Sequence, residues 1–284
     1  MYRIVRALLP FFWVSILFSC HGRQESESSA DIDSTEVDTY FFPDTLNEVD
    51  EEIDEADESL RLDVSFDDFM FAFTHSDRLQ QRRILWPLSY TDADGVSHRI
   101  TSLDCATEFR FLKGDFYTVM YGNLDQVEAQ KEDTGDSLVT VERIDLPEER
   151  LRAFQFQLEA GKWKLTSMQD IAFHESDIYD FLTFYARFSS DTLYQQAHIS
   201  QPLSVSVLDP EEDESYIEGT IDAEQWSSFC SEVPNGVISN IRYGCQQYRP
   251  GQMVMQKSGS SNGLQELFVF TKNDGEWRLS SYEN

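Results

Sequence analysis

Apolar and polar positions follow two different periods along this chain, and the two periods occur in the same order twice. Phe66, Phe69 and Phe73 recur at i, i+3, i+7, which sets three rings on one stripe of a helix. Asp77 to Leu85 continues as a second helix that Pro87 ends. The period then shortens to two: Phe116, Thr118 and Met120 alternate with Tyr117, Val119 and Tyr121, and strand-like runs follow at Leu138 to Ile144, Leu151 to Leu158 and Lys162 to Met168. Helical spacing returns over Ile178 to Phe188 and Asp191 to Ile199. Strands are then predicted at Val205 to Leu208, Val237 to Gly244, Gln252 to Lys257, Leu264 to Thr271 and Glu276 to Tyr282, interrupted by a short helix around Ala223 to Cys230. Glu159-Ala160-Gly161 and Asn273-Asp274-Gly275 join the last two strands of each series, and the Asp-Gly pair favours a tight hairpin.

The order repeats because the sequence does. Shifting the chain by 115 residues superposes nine identities between Phe66 and Ser89: the three phenylalanines on Phe181, Phe184 and Phe188, Gln80-Gln81 on Gln195-Gln196, Ile84 on Ile199, and Pro87-Leu88-Ser89 on Pro202-Leu203-Ser204. A shift of 114 then carries Phe154-Gln155-Phe156 onto Phe268-Val269-Phe270 and Gly161-Lys162-Trp163 onto Gly275-Glu276-Trp277. Two homologous domains are expected, at 64–172 and 173–284, meeting near Ala172 to Ser176. Helices first and an antiparallel sheet afterwards make each an α+β unit.

The helix stripe, the Gln-Gln-x-x-Ile-x-x-Pro-Leu segment and the closing Gly-x-Trp hairpin resemble lipoproteins of unknown function from Bacteroidota with nuclear transport factor 2-like (cystatin-like) domains. The resemblance implies two tandem cone-shaped domains, each with N-terminal helices packed on a curled antiparallel sheet. That fold hosts isomerases, dehydratases and binding modules alike, so it does not name a reaction.

The N-terminus adds an address. Arg3 and Arg6 precede an apolar run from Ala7 to Phe18, the charged and apolar regions of an export signal, too short for a span of about 20 residues. Leu17-Phe18-Ser19-Cys20 resembles the bacterial lipobox, which implies a signal peptide at 1–19 and a diacylglycerol on Cys20. The partner so implied is the membrane, and the place is the cell envelope, as an outer-membrane lipoprotein facing the periplasm or the outside.

Charge sets the segment from 20 to 63 apart. His21 to Asp63 holds sixteen acidic residues against Arg23 and Arg61, and the whole chain carries −30. Such a segment cannot bury enough apolar surface to offset its ordering entropy, and it is expected to be a disordered tether reaching ~35 Å as a random coil. Asp50-Glu51-Glu52 and Asp54-Glu55 lack the order and the turning glycine of a calcium loop. No Lys/Arg cluster of the kind that binds phosphates exists, so nucleic acid is not an expected partner.

Candidate chemistry is sparse. There is no Gly-x-Ser-x-Gly, phosphate loop, dinucleotide fingerprint or zinc spacing, and no cofactor, metal or catalytic residue is assigned. His198, in a predicted helix beside Ile199, is the one histidine considered as a general base. The repeated amides Gln80, Gln81, Gln195 and Gln196 could bond a sugar or peptide, or satisfy a nearby carbonyl instead. Tyr117, Tyr121 and Tyr243 are placed at the mouth of a cone. Trp163 and Trp277 read as core plugs. Of the cysteines other than Cys20, Cys230 and Cys245 are the expected disulfide pair, with Cys105 free. The function that fits is non-catalytic binding of a small molecule or a protein. The alternatives are a pocket enzyme moving protons in one domain, and an assembly factor of an envelope complex.

Overall fold

The computed structural model describes residues 62–131, 135–209, 215–230, 232–244, 246–260 and 264–284. The expected signal peptide, Cys20 and all but the end of the 20–63 segment lie outside them. All described residues fall in one compact unit.

The first copy opens with helices α1 (Phe66–His75) and α2 (Asp77–Arg83). Strands β1 (Ile84–Thr91) and β2 (Ser97–Ile100), the short helix α3 (Cys105–Glu108), β3 (Phe116–Tyr121), helix α4 (Leu124–Lys131), and β4 (Leu138–Asp145), β5 (Arg150–Glu159) and β6 (Lys162–Ala172) follow. The second copy repeats the series with α5 (Tyr179–Ser190), α6 (Thr192–Ala197), β7 (Ile199–Leu208), β8 (Tyr216–Ile221), α7 (Trp226–Phe229), β9 (Val237–Arg242), β10 (Gln252–Gly259), β11 (Gln265–Asn273) and β12 (Glu276–Glu283). Caps repeat as well. Ser76 accepts a hydrogen bond from the Leu79 N–H at the start of α2, and its counterpart Asp191 accepts from Leu193 and Tyr194.

Two differences from the predicted elements have local causes. Helix α2 stops at Arg83 and Pro87 lies inside β1, because Ile84-Leu85-Trp86 is bulky and the residue before a proline is biased to extended backbone. The ladder to β6 shifts register between Ile84 and Ser89, the kind of irregularity where a strand tolerates proline. Trp86–Pro87 and Gln201–Pro202 are both cis, a further sign of the repeat. Both hairpin turns take positive φ as expected, at Ala160-Gly161 and Asp274-Gly275.

The α+β class holds, with helices layered on sheets. The sheet order is not one that local periodicity predicts. One sheet runs β2-β1-β6-β5-β4-β9 and the other β8-β7-β12-β11-β10-β3. Each copy hands its third strand to the other, so β9 pairs antiparallel with β4, and β3 pairs antiparallel with β10. The ladders between β1 and β6 and between β7 and β12 are parallel. The two exchanged strands meet at Thr118 and Ser239. The Thr118 N–H donates to the Ser239 hydroxyl at 2.7 Å and the Ser239 N–H to the Thr118 hydroxyl at 3.2 Å, while each hydroxyl donates to the other residue's carbonyl. Beside them Asn240 accepts from the Met120 N–H at 2.9 Å and donates to the buried Glu142 carboxylate at 2.7 Å, which also faces Arg242 at 3.3 Å.

Two apolar cores follow the exchange and not the chain order. The first packs Phe66, Phe69 and Phe73 with Phe156 and Trp163, and takes in Ile241, Tyr243 and Val254 from the second copy. The second packs Phe181, Phe184 and Phe188 with Phe270 and Trp277, and takes in Met120, Ile144 and Leu151 from the first. Ring spacings match across the repeat: Phe73 to Phe156 is 5.4 Å and Phe188 to Phe270 is 5.3 Å. Each fully buried ring contributes about 1.5–3 kcal/mol.

Candidate functional site

The strand exchange builds a crevice that neither copy has alone. Tyr117, Val119 and Tyr121 lie at i, i+2, i+4 on β3 and so share one face. Tyr243 follows the end of β9, where its N–H bonds the Gln246 side chain at 2.9 Å and Gln246 in turn bonds the Ile241 carbonyl at 2.8 Å. Asp67 projects from the first turn of α1, whose start is capped by Ser65. These side chains line a cavity of about 220 Å³ together with Gln130, Gln256 and Gln265. Asp67 and Tyr117 also line an adjoining hollow of about 260 Å³ floored by Met70, Phe71 and Leu112.

A hydrogen bond from the Tyr243 hydroxyl to Asp67 ties the site together. Asp67 is an exposed residue by area, yet its carboxylate turns towards packed protein. Desolvation raises its pKa, opposed by the Tyr243 hydrogen bond and helped by Asp68. Burial, then the charge of Asp67, holds the Tyr243 phenol well above its ordinary value. Burial and Asp67 push Tyr117 up to about 12 against a hydrogen bond with Ser258. Both phenols therefore keep their protons at neutral pH and act as donors, next to one carboxyl and three amides.

Glycine is required where the two exchanged segments touch. A Cβ on Gly122 would stand 2.0 Å from the Gln247 carbonyl oxygen. The approach is held by Gln126, which accepts from the Gly122 N–H at 2.9 Å and donates to the Gln247 carbonyl at 3.0 Å.

The structure gathers Tyr117, Tyr121 and Tyr243 and leaves Gln80, Gln81, Gln195 and Gln196 elsewhere. Gln80 is buried, with its amide nitrogen 3.5 Å from the Thr74 carbonyl at the end of α1, and Gln195 donates to the Phe188 carbonyl at 3.1 Å at the end of α5. Gln81 is exposed and Gln196 half-buried. Cys230 is a free thiol facing the second core, where burial and then Glu266 push its pKa up to about 11. Cys245, the other half of the expected Cys230–Cys245 pair, lies outside the described residues. Cys105 is free and half-buried, and burial with the nearby Asp77 raises its pKa, the opposite of an activated thiolate. Among the described residues no three His, Cys, Asp or Glu side chains gather as metal ligands, and no helix is long and apolar enough to cross a membrane. Sequence reasoning missed Asp67, because a carboxylate in a helix's first turn carries no mark of the strand that will cross it.

The comparisons agree with this architecture. Residues 45–284 match the family described as "Domain of unknown function (DUF4348)". The crystal structure of an NTF2-like protein from Bacteroides fragilis superposes with a TM-score of 0.71 at 29% identity, covering 78% of this chain and 96% of that one. No curated protein matches the chain. With the family match running over both copies and both exchanged strands, the chain belongs to the DUF4348 family and has the NTF2-like fold.

Proposed function

We propose that this protein is a lipid-anchored binding protein of the bacterial cell envelope, tethered through Cys20, and that its folded body takes a small polyhydroxylated ligand in the crevice around Asp67. One observation carries the ligand reading: Asp67, Tyr117, Tyr121 and Tyr243 converge on adjoining hollows with Gln130, Gln256 and Gln265. Protonated phenols and amide nitrogens donate to sugar oxygens, the carboxylate and amide oxygens accept from sugar hydroxyls, and aromatic faces cover the apolar side of a ring. The anchor reading rests on the lipobox-like Leu17-Phe18-Ser19-Cys20 and the acidic residues behind it.

Ligand-observed NMR of the full-length protein with glucose, galactose and N-acetylglucosamine tests the crevice. Saturation transfer to at least one sugar, weakened about tenfold by Asp67→Asn or Tyr243→Phe, is expected; transfer to none of the three counts against the reading. Incorporation of labelled palmitate that Cys20→Ser abolishes tests the anchor.

The Tyr243–Asp67 hydrogen bond favours a second reading, proton transfer at a carbon acid, since a raised carboxyl beside a phenol can hold an enolate. Exchange of substrate C–H for deuterium that stops in Tyr243→Phe would select it over binding.

A further inference from the structure

The two copies carry the same corner between paired helices and closing hairpin, and only one of the corners is filled. In the first copy Asp63 enters it. Its carboxylate accepts two hydrogen bonds from the Arg83 guanidinium, both 2.8 Å, and one from the Trp163 N–H at 2.9 Å, in a nearly solvent-free ion pair. Arg83 lies 5.8 Å from the Phe69 ring.

In the second copy Phe184 replaces Phe69, Trp277 replaces Trp163, and His198 stands where Arg83 does, 5.8 Å from the Phe184 ring. Trp277 pairs with Lys272 one step from its hairpin turn, as Trp163 pairs with Leu158, so its backbone N–H turns the same way. The residue matching Asp63 is Ile178, which is buried in the core and offers no carboxylate. An open groove of about 520 Å³ results, lined by Tyr179, Phe184, Tyr194, His198 and Trp277.

We propose that this groove binds the carboxylate of a small acid with an aromatic or apolar body, seated between His198 and Trp277 as Asp63 is seated between Arg83 and Trp163. His198 is set for that role. Its ring stacks on Tyr194 at 3.7 Å, and Nδ1–H donates to the Tyr194 carbonyl at 2.8 Å. That leaves Nε2 without a hydrogen-bond partner among the described residues, and as an imidazolium it donates to an entering carboxylate. The other charges facing the groove are mostly committed. Asp180 accepts from Lys272 at 2.6 Å and from the Trp277 indole at 2.8 Å, and Glu276 pairs with Arg278 at 2.9 Å. Arg187 lies over the Tyr194 ring at 4.1 Å with only a loose, exposed contact to Asp191, and it adds a cation at the rim. The groove is large enough for a small molecule, and its aromatic walls suit an apolar body.

Phenylacetate titrated into the full-length protein, followed by the NMR signals of the Trp277 indole and the His198 imidazole, tests the proposal. Saturable shifts are expected with one acid bound per chain, because Asp63 already fills the matching corner. Phenylacetamide, with the same shape and no charge, is expected to leave the signals in place. His198→Ala is expected to weaken binding about tenfold or more, the loss of one charge-assisted hydrogen bond. His198→Arg, which installs the group found in the first copy, is expected to retain binding. Absence of a saturable shift, equal binding of the amide, undiminished binding in His198→Ala, or loss in a folded His198→Arg protein would each overturn it.

Discussion

Thr118 and Ser239 bind each other through main chain and side chain in both directions, and this reciprocal contact lies where the exchanged strands cross. Each hydroxyl serves at once as acceptor for the partner's N–H and donor to the partner's carbonyl. Removing either one leaves buried backbone groups unsatisfied, a cost of about 1–3 kcal/mol. Thr118→Val and Ser239→Ala are therefore each expected to lower stability in urea titrations by that amount. The double variant is expected to lose less than the sum, since both changes break the same contacts.

The exchange predicts that neither half stands alone. Residues 64–172 expressed without the rest lack β9 and leave the β4 edge bare, while residues 173–284 lack β3. Circular dichroism and proton NMR are expected to show each half without fixed tertiary structure, and an equimolar mixture to recover native-like spectra. Two independently folded halves would refute the interlocked reading.

Asp67 gives a pH dependence of definite sign. Its folded pKa is raised, chiefly by desolvation, so the folded state holds the proton more tightly than the unfolded chain. The resulting stabilisation is complete below the ordinary aspartate value of about 3.9 and is lost as pH rises through the raised value. The melting temperature of the natural protein is expected to fall relative to that of Asp67→Asn over this interval and to run parallel to it above.

The buried Asp63–Arg83 pair is expected to behave asymmetrically. Asp63→Ala strands a guanidinium that is only 7% exposed, and its predicted cost in a denaturant titration is about 3–5 kcal/mol. Asp63→Leu combined with Arg83→Met removes both charges and is expected to cost much less.

Gly122→Ala forces a methyl group against the Gln247 carbonyl, a contact that backbone alone can relieve. Loss of stability and displacement of Tyr243, visible as a changed tyrosine NMR spectrum, are the expected results.

How much of this was legible in the sequence follows from what each signal depends on. The phenylalanine stripes, the caps at Ser76 and Asp191 and the Asp274-Gly275 turn are local, and local rules place them. The twofold repeat is written in identities. Tyr117 and Tyr121 are readable as a pair because β3 alternates, but their meeting with Tyr243 and Asp67 depends on which strand pairs with which. Strand choice is where local reasoning ends: β3 has the same alternating pattern whether it joins β4 or β10. Gln80 and Gln195 are repeated polar residues, and each reaches back to a carbonyl at the end of the preceding helix, Thr74 in one copy and Phe188 in the other. The opposite holds for His198 and Arg83. Their difference between the copies marks the open corner, which becomes readable only by comparison with the filled one in the first copy.

The pairing of β3 with β10 also dictates timing. Phe116–Tyr121 leaves the ribosome well before Gln252–Gly259, a wait on the order of 10 s at the usual pace of synthesis. Throughout it the early half has an incomplete sheet and an uncovered apolar face. Final assembly is thus a late, whole-chain event, and a nascent chain of this kind reaches any translocation or chaperone machinery still unfinished.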